Sequence, residues 1–285
     1  MLAATLRDPE PITRAAAAAN HQGINVVARK APLLEAQGVS KTYTTRSREK
    51  VAALGEVSLA LDDGAFVSLV GPSGCGKSTL LKMVAGIVPP SAGELRLNGK
   101  RVSGGQAGMG VVFQSPVLLP WLTVLDNTLL PAKVLKLDRQ QARTRALELL
   151  RSVGLEGFEH KYPGELSGGM QQRVSIIRSL VHEPGLLLMD EPFGALDALT
   201  RENMSLDLQR IWLAHKKTVL FITHSIFEAV FLSDRVLVMS ERPGRIVRDL
   251  AIPFARPRSF DLTTTPEFGE IVQEIRGLLG ATAHA

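Results

Sequence analysis

The chain has 285 residues, 45% of them hydrophobic and 21% charged, a balance that suits a packed globular core and excludes a wholly disordered chain. Its formal net charge of +5 is spread without a run of five or six basic residues, which fits a soluble protein or one beside an anionic membrane surface better than a nucleic-acid binder. Cys75 is the only cysteine, which excludes an intramolecular disulfide and a cysteine zinc cluster and favours a reducing compartment.

Residues 1–32, with Arg7, Arg14 and the alanine run 15–19, read as a flexible extension, because the run is too short and too polar in its flanks for a secretory segment. From 33 to 61, short β-rich segments at 33–39 and 55–61 predict an antiparallel sheet. Residues 65–70 predict a buried strand and 77–87 a helix, stopped by Pro89 and Pro90. Strand, glycine-rich loop and helix in that order open an α/β core.

Helical patterns dominate from about 121 to 180, including 139–153 with Asp138 as N-cap and Gly154 just past its end. The alternation then resumes: strand 186–189, helix 198–212, strand 218–222, helix 225–232 and strand 235–239, which predicts parallel strands joined by helical crossovers. The helical segment is therefore expected to be an insertion within one core domain, 33–252. A tail, 253–285, carries Pro253, Pro257 and Pro266 and a last helix at 267–279. No stretch reaches the ~18–20 apolar residues needed to span a membrane, so the chain is expected not to cross one by itself.

Three segments carry chemistry. Gly71-Pro72-Ser73-Gly74-Cys75-Gly76-Lys77-Ser78-Thr79 is a phosphate-binding loop, lying between a predicted strand and a predicted helix as that motif requires. Gly74 and Gly76 let backbone N–H groups turn inward on phosphate oxygens. The helix N-terminus adds positive potential, Lys77 reaches the terminal phosphates and Ser78 offers a hydroxyl to Mg²⁺. Cys75 reads as a small residue that fits the turn.

Leu186-Leu187-Leu188-Met189-Asp190-Glu191 is a buried strand that delivers two carboxylates to its C-terminal edge, where ligands bind in open α/β sheets. Asp190 is placed for the metal and Glu191 to polarise an attacking water. Leu166-Ser167-Gly168-Gly169-Met170 precedes a long helix and offers a hydroxyl and backbone donors at a second positive helix end. As a bare sequence feature it also reads as an ordinary helix cap.

Together these three segments resemble the nucleotide-binding subunit of an ABC transporter, over about residues 33–250. The resemblance implies an α/β fold: a P-loop NTPase core of ABC type with an N-terminal antiparallel β-subdomain and an inserted helical subdomain. Tyr43 resembles the aromatic that stacks on adenine, Gln114 the loop glutamine, Ala195-Leu196-Asp197 the D-loop and His224 the switch histidine that contacts the γ-phosphate. By the same resemblance Gln114 joins Ser78 and Asp190 at the metal, and Glu191, His224 and Gln114 form the catalytic set. Met170 stands where many family members have glutamine.

The family pattern implies ATP and Mg²⁺ as cofactors and a homodimer in which the phosphate loop of one chain faces Ser167-Gly168-Gly169 of the other. It further implies transmembrane permease subunits, a separate solute-binding protein, no nucleic-acid partner, and a peripheral position on the cytoplasmic face of the membrane. Ser115-Pro116-Val117-Leu118-Leu119-Pro120-Trp121 through Asn127, with Glu241-Arg242-Pro243-Gly244-Arg245-Ile246, resembles the nitrate, sulfonate and taurine importer branch. Physically, 117–121 is an apolar, proline-bounded stretch suited to gripping a partner's helix, or to placing Trp121 in the core. Importers of thiamine precursors or riboflavin share much of this pattern, and an exporter or lipoprotein-releasing ATPase would keep the same chemistry. A soluble ABC ATPase acting on DNA or the ribosome is disfavoured, because the chain holds one such domain and no coiled-coil-length or cysteine-bearing insertion between Lys77 and Ser167.

Overall fold

A computed structural model describes residues 31–282; the expected extension lies outside the described residues, apart from Ala31 and Pro32. The first sheet is antiparallel, in the order β2-β1-β4-β5. Its strands are β1 (Leu34–Thr44), β2 (Lys50–Leu61), β4 (Ala92–Leu97) and β5 (Lys100–Arg101). Both predicted segments are longer than expected, and β4 was not foreseen: Ala-Gly-Glu-Leu-Arg-Leu alternates only weakly and is held by pairing with β1.

The second sheet has six strands in the order β10-β9-β3-β8-β7-β6. They are β3 (Phe66–Val70), β6 (Met109–Val112), β7 (Leu186–Asp190), β8 (Thr218–Ile222), β9 (Arg235–Met239) and β10 (Ile246–Ala251). The run from β9 to β6 is parallel, and β10 closes one edge antiparallel to β9.

Both faces of this sheet are covered, which is why its strands read as unbroken apolar runs. Val67, Leu69, Leu186, Leu188, Leu220 and Ile222 face the antiparallel sheet and α1 (Lys77–Val84). Their alternate neighbours Phe66, Val70, Leu187, Met189, Val219 and Phe221 face the remaining helices. Period-two alternation thus divides one set of strands between two cores.

Those helices are α2 (Val124–Val134), α3 (Arg139–Ser152), α4 (Gly168–Leu180), α5 (Ala198–His215), α6 (Ile226–Leu232) and α7 (Pro266–Thr282). Asp138, Ser167, Asp197 and Ser225 each cap the helix that follows, accepting the backbone N–H three residues on. Helix α1 ends at Val84, three residues before the expected stop, with Gly86 in the left-handed region.

The segment after β10 is tied to the core by an arginine that no local pattern singles out. Arg258 is only 4% exposed. Its Nη1 donates to the carbonyls of Val230, Phe231 and Ser233 at 2.9 Å each, closing the C-terminal end of α6. Burial pulls its guanidinium down to about 10, still cationic at neutral pH. Phe268 and Ile275 of α7 are buried behind it.

Candidate functional site

Parallel strands end on the same side of a sheet, so β3, β6, β7 and β8 bring four predicted segments to one edge. β3 runs into the phosphate loop, β6 stops two residues before Gln114, β7 ends on Asp190, and β8 stops two residues before His224. This juxtaposition is the consequence of topology, since the four segments are spread over about half the chain.

The loop between β3 and α1 encloses one side of a cavity of about 360 Å³. Ser73, Gly74, Gly76, Lys77, Ser78 and Thr79 line it. Gly74 has φ +76° and open space where a Cβ would sit, so its glycine serves conformation and close ligand approach. Gly76 has φ +115°, and a Cβ there would lie 2.6 Å from the Ala53 carbonyl oxygen. No side chain caps α1, whose first N–H groups have no intrahelical partners and are left for a ligand. The Lys77 ammonium donates to the carbonyls of Gly71 and Pro72 at 2.8 and 2.9 Å. Cys75 is buried, and burial pushes its thiol up against the pull of the Lys77 charge; it fills the turn rather than presenting a reactive thiolate.

Tyr43 and Ala53, from the β1–β2 hairpin, and Glu191 and Arg242 complete the lining. Arg242 is absent from the sequence-based set. It belongs to the 240–245 turn, which latches onto the phosphate loop: the Gly244 N–H donates to the Cys75 carbonyl at 3.0 Å, and the Gly244 carbonyl accepts from Gly55 at 3.0 Å. A Cβ on Gly244 would lie 2.2 Å from the Cys75 carbonyl oxygen, so the fit demands glycine. The available signal was Arg-Pro-Gly three residues past a buried strand.

Ser78 Oγ donates to Asp190 Oδ1 at 3.0 Å. Burial pushes the Asp190 carboxyl up, opposed by the Ser78 hydrogen bond and reinforced by the Glu191 charge. A half-desolvated carboxylate beside a hydroxyl is an all-oxygen donor pair that fits a hard divalent cation such as Mg²⁺. Among the described residues no group of three or more His, Cys, Asp or Glu could hold a metal unaided. The pair therefore suits an ion that takes its other ligands from phosphate and water.

Glu191 adopts φ +46°, an uncommon conformation for a side-chain-bearing residue. Its N–H donates to the Ile222 carbonyl at 2.8 Å, and its carbonyl accepts from Gly194 at 3.0 Å. Its Oε2 lies 3.3 Å from His224 Nδ1, so two segments 33 residues apart meet at the cavity's rim. Gln114 lies against Gly194: a Cβ there would come within 2.9 Å of its amide nitrogen. Among the described residues no hydrogen bond joins Gln114 to Ser78 or Asp190.

Ser167, Gly168 and Gly169 are not brought to this cavity. They open α4 beside the 195–200 segment, where Thr200 Cγ2 is 2.9 Å and Leu196 Cδ2 3.9 Å from the positions Cβ atoms would take on Gly169 and Gly168. A second cavity of about 360 Å³ opens between α2 and α3, beside Leu129, Lys133 and Arg143, without any phosphate-cradling backbone turn.

Between Gln114 and α2 lies an exposed apolar loop. Trp121 is 69% and Val117 58% exposed, which removes the reading of Trp121 as core filler. Val117 has φ +44°, a strained choice for a β-branched residue. The buried Asn127 amide fastens the loop: Oδ1 accepts from Leu119 N–H at 2.8 Å, and Nδ2 donates to the carbonyls of Leu119, Leu122 and Thr123 at 3.0–3.1 Å. Arg178 holds the Pro116 and Val117 carbonyls from α4 at 2.8 and 2.9 Å.

The ABC transporter family model matches residues 54–194. The taurine import ATP-binding protein TauB of Rhizobium johnstonii is 47% identical over 255 residues, covering 88% of this chain and 97% of that protein. The chain belongs to the ABC transporter ATP-binding family. The aliphatic sulfonates import ATP-binding protein SsuB of Bacillus cereus is 42% identical, covering 84% of this chain and 92% of that protein. Among solved structures, a dimeric ATP-binding cassette in a post-hydrolysis state bound to ADP and Pi aligns with TM-score 0.67 and 33% identity, covering 78% of this chain and all of that one. This ABC subunit is thus an ATPase with ATP as its nucleotide, on the α/β cassette fold with antiparallel and helical parts. No described helix is long and apolar enough to cross a membrane.

Proposed function

We propose that this chain is the ATP-hydrolysing subunit of an importer for a small sulfonate, taurine or a related aliphatic sulfonate. The observation that carries the catalytic half is the meeting, at one sheet edge, of Lys77, the Ser78–Asp190 pair and the Glu191–His224 pair, with Lys77, Ser78 and Glu191 lining a single cavity. The substrate half is supported by the likeness to taurine and sulfonate import proteins, which favours sulfonate over the nitrate also expected for this branch.

Tyr43 offers its ring to the adenine, the loop 71–79 holds the phosphates through backbone donors, and Lys77 exchanges its two carbonyl partners for phosphate oxygens. Ser78 and Asp190, with Gln114 completing the set, would hold Mg²⁺, which would neutralise charge on phosphate oxygens. Glu191 orients water and takes its proton; His224, in contact with that carboxylate, senses the γ-phosphate. In this reading Ser167, Gly168 and Gly169 of a second copy close the cavity, giving a homodimer with two composite sites. The exposed Val117–Trp121 face takes a helix of a transmembrane permease, whose solute arrives on a separate binding protein. The subunit then sits peripherally on the cytoplasmic face.

The test is to copurify the chain with its permease in vesicles, add the cognate solute-binding protein, and measure ATPase stimulation by taurine, alkanesulfonates and nitrate. Stimulation by the sulfonates alone is the expected result. Stimulation by nitrate alone, or by none of them, removes the sulfonate assignment.

A further inference from the structure

Glu228, on the first turn of α6, is a carboxylate that none of the roles above employs. It is 4% exposed, and burial pushes its carboxyl up against the pull of Thr223 and Arg201. Burying a charge that an apolar side chain could replace is costly, so its contacts bear on what it does.

On one side Glu228 holds both neighbours of His224. Thr223 Oγ1 donates to Glu228 Oε2 at 2.5 Å, and the same hydroxyl accepts from the Ser225 N–H at 3.0 Å. Ser225 Oγ in turn accepts from the Glu228 N–H at 3.2 Å. The backbone that presents His224 cannot shift without disturbing this set.

On the other side Glu228 meets Arg201 of α5, whose Nε lies 3.6 Å from Oε1. Arg201 Nη2 donates to the Leu196 carbonyl at 3.1 Å, in the middle of Ala195-Leu196-Asp197. Arg201 Nε is buried without a hydrogen-bond partner, and a cavity of about 200 Å³ opens beside Arg201, Ser225 and Glu228. The ion pair has room to shorten, and a buried donor gains a partner when it does.

We propose that Glu228 is a positioning residue for turnover, tying the His224 loop to the 195–197 loop through Arg201 so that the two segments move as one. The inference rests on the reading of His224 and Glu191 given above. Glu228 does not line the nucleotide cavity, so the tie acts on the rate of the assembled site and leaves nucleotide affinity alone.

Steady-state ATPase kinetics of the full chain with Mg-ATP test this, with Glu191→Gln as the reference for loss of the site itself. Glu228→Gln and Arg201→Gln are each expected to lower kcat about tenfold with KM for ATP within about twofold, and the double variant to be no slower than the slower single. Thr223→Val should behave like Glu228→Gln, whereas Thr223→Ser, which keeps the hydroxyl, should restore kcat to within about twofold of wild type. Wild-type kcat in folded Glu228→Gln, or in the half-exposed Arg201→Gln should the former not fold, overturns the proposal, as do losses that multiply in the double variant. A wild type no faster than Glu191→Gln overturns the site assignment itself.

Discussion

The chain carries two helix N-termini with glycines and a serine, and they are built differently. At α1 the residue before the helix is Gly76, no side chain caps the first turn, and the backbone opens onto a cavity with Lys77 beside it. At α4 the preceding Ser167 accepts the Met170 N–H at 3.3 Å, and the glycines lie against Leu196 and Thr200. The first opens on a cavity that Lys77 and Glu191 of the same chain also line; the second presents a serine and two glycines that do not line that cavity. In the function proposed above, a surface of the second kind is completed by a second copy of this chain, which carries the other half.

Changes at Glu191 and at the two helix ends should separate these roles. The largest effect is expected for Glu191→Gln: kcat falls roughly 10²–10⁴-fold while ATP still binds, and size-exclusion chromatography with ATP reports a trapped dimer. Undiminished hydrolysis would remove Glu191 from its role.

Next, Lys77→Ala should weaken ATP binding to the isolated chain by about 1.5–3 kcal/mol, the worth of hydrogen bonds from a charged donor, as a nucleotide titration would show. Ser167→Arg should leave that titration unchanged yet abolish turnover, and mixing the two variants should recover part of the activity through one intact composite site. Loss of binding in Ser167→Arg would collapse the distinction between the helix ends.

Trp121→Ala serves as the control outside both. Transport in vesicles is expected to fall roughly tenfold, as for an exposed anchor residue, with ATPase activity changed by less than about twofold. Equal loss of both activities would place Trp121 with the catalytic machinery.

The smallest effect concerns Asp190 without ligands. Burial raises its folded-state carboxyl, so just above the ordinary carboxylate range the folded chain holds the proton that the unfolded chain has released. Stability therefore falls as pH rises through that window, and the cost persists at neutral pH. Asp190→Asn removes it: thermal melting of the ligand-free protein at pH 7 should rise by roughly 2 °C, a figure kept small because the group is only half-buried. A lower melting temperature at pH 7 than at pH 5 for wild type, absent in the variant, would complete the sign test.

Much of this architecture was legible locally. β7 and β8 announce themselves as apolar runs, Asp138 and Gly154 bracket α3, and the loop from Gly71 to Thr79 falls between its strand and helix. The strands that were missed, β4, β5, β6 and β10, are short or carry polar alternation, and they exist because a neighbour supplies a hydrogen-bonding edge. Arg242, Glu228 and Arg258 escaped for a related reason. Arg242 and Arg258 are defined by carbonyls, and Glu228 by its Arg201 partner, on segments that local spacing does not connect to them, as when Arg242 donates to the Ala52 carbonyl 190 residues away. Local pattern reports which elements form; it is silent on which side chain another element will bury.

Asn127 makes one last point. Four bonds from a single buried amide to the backbone between Leu119 and Thr123 hold the Trp121 loop in place before anything touches it. Fixing a free backbone costs about 1–2 kcal/mol of conformational entropy per residue, a cost met here when the chain folds and not when it assembles. A partner helix would meet a finished surface, so affinity at this contact should be governed by how fast the complex separates rather than by a slow ordering step on the way in.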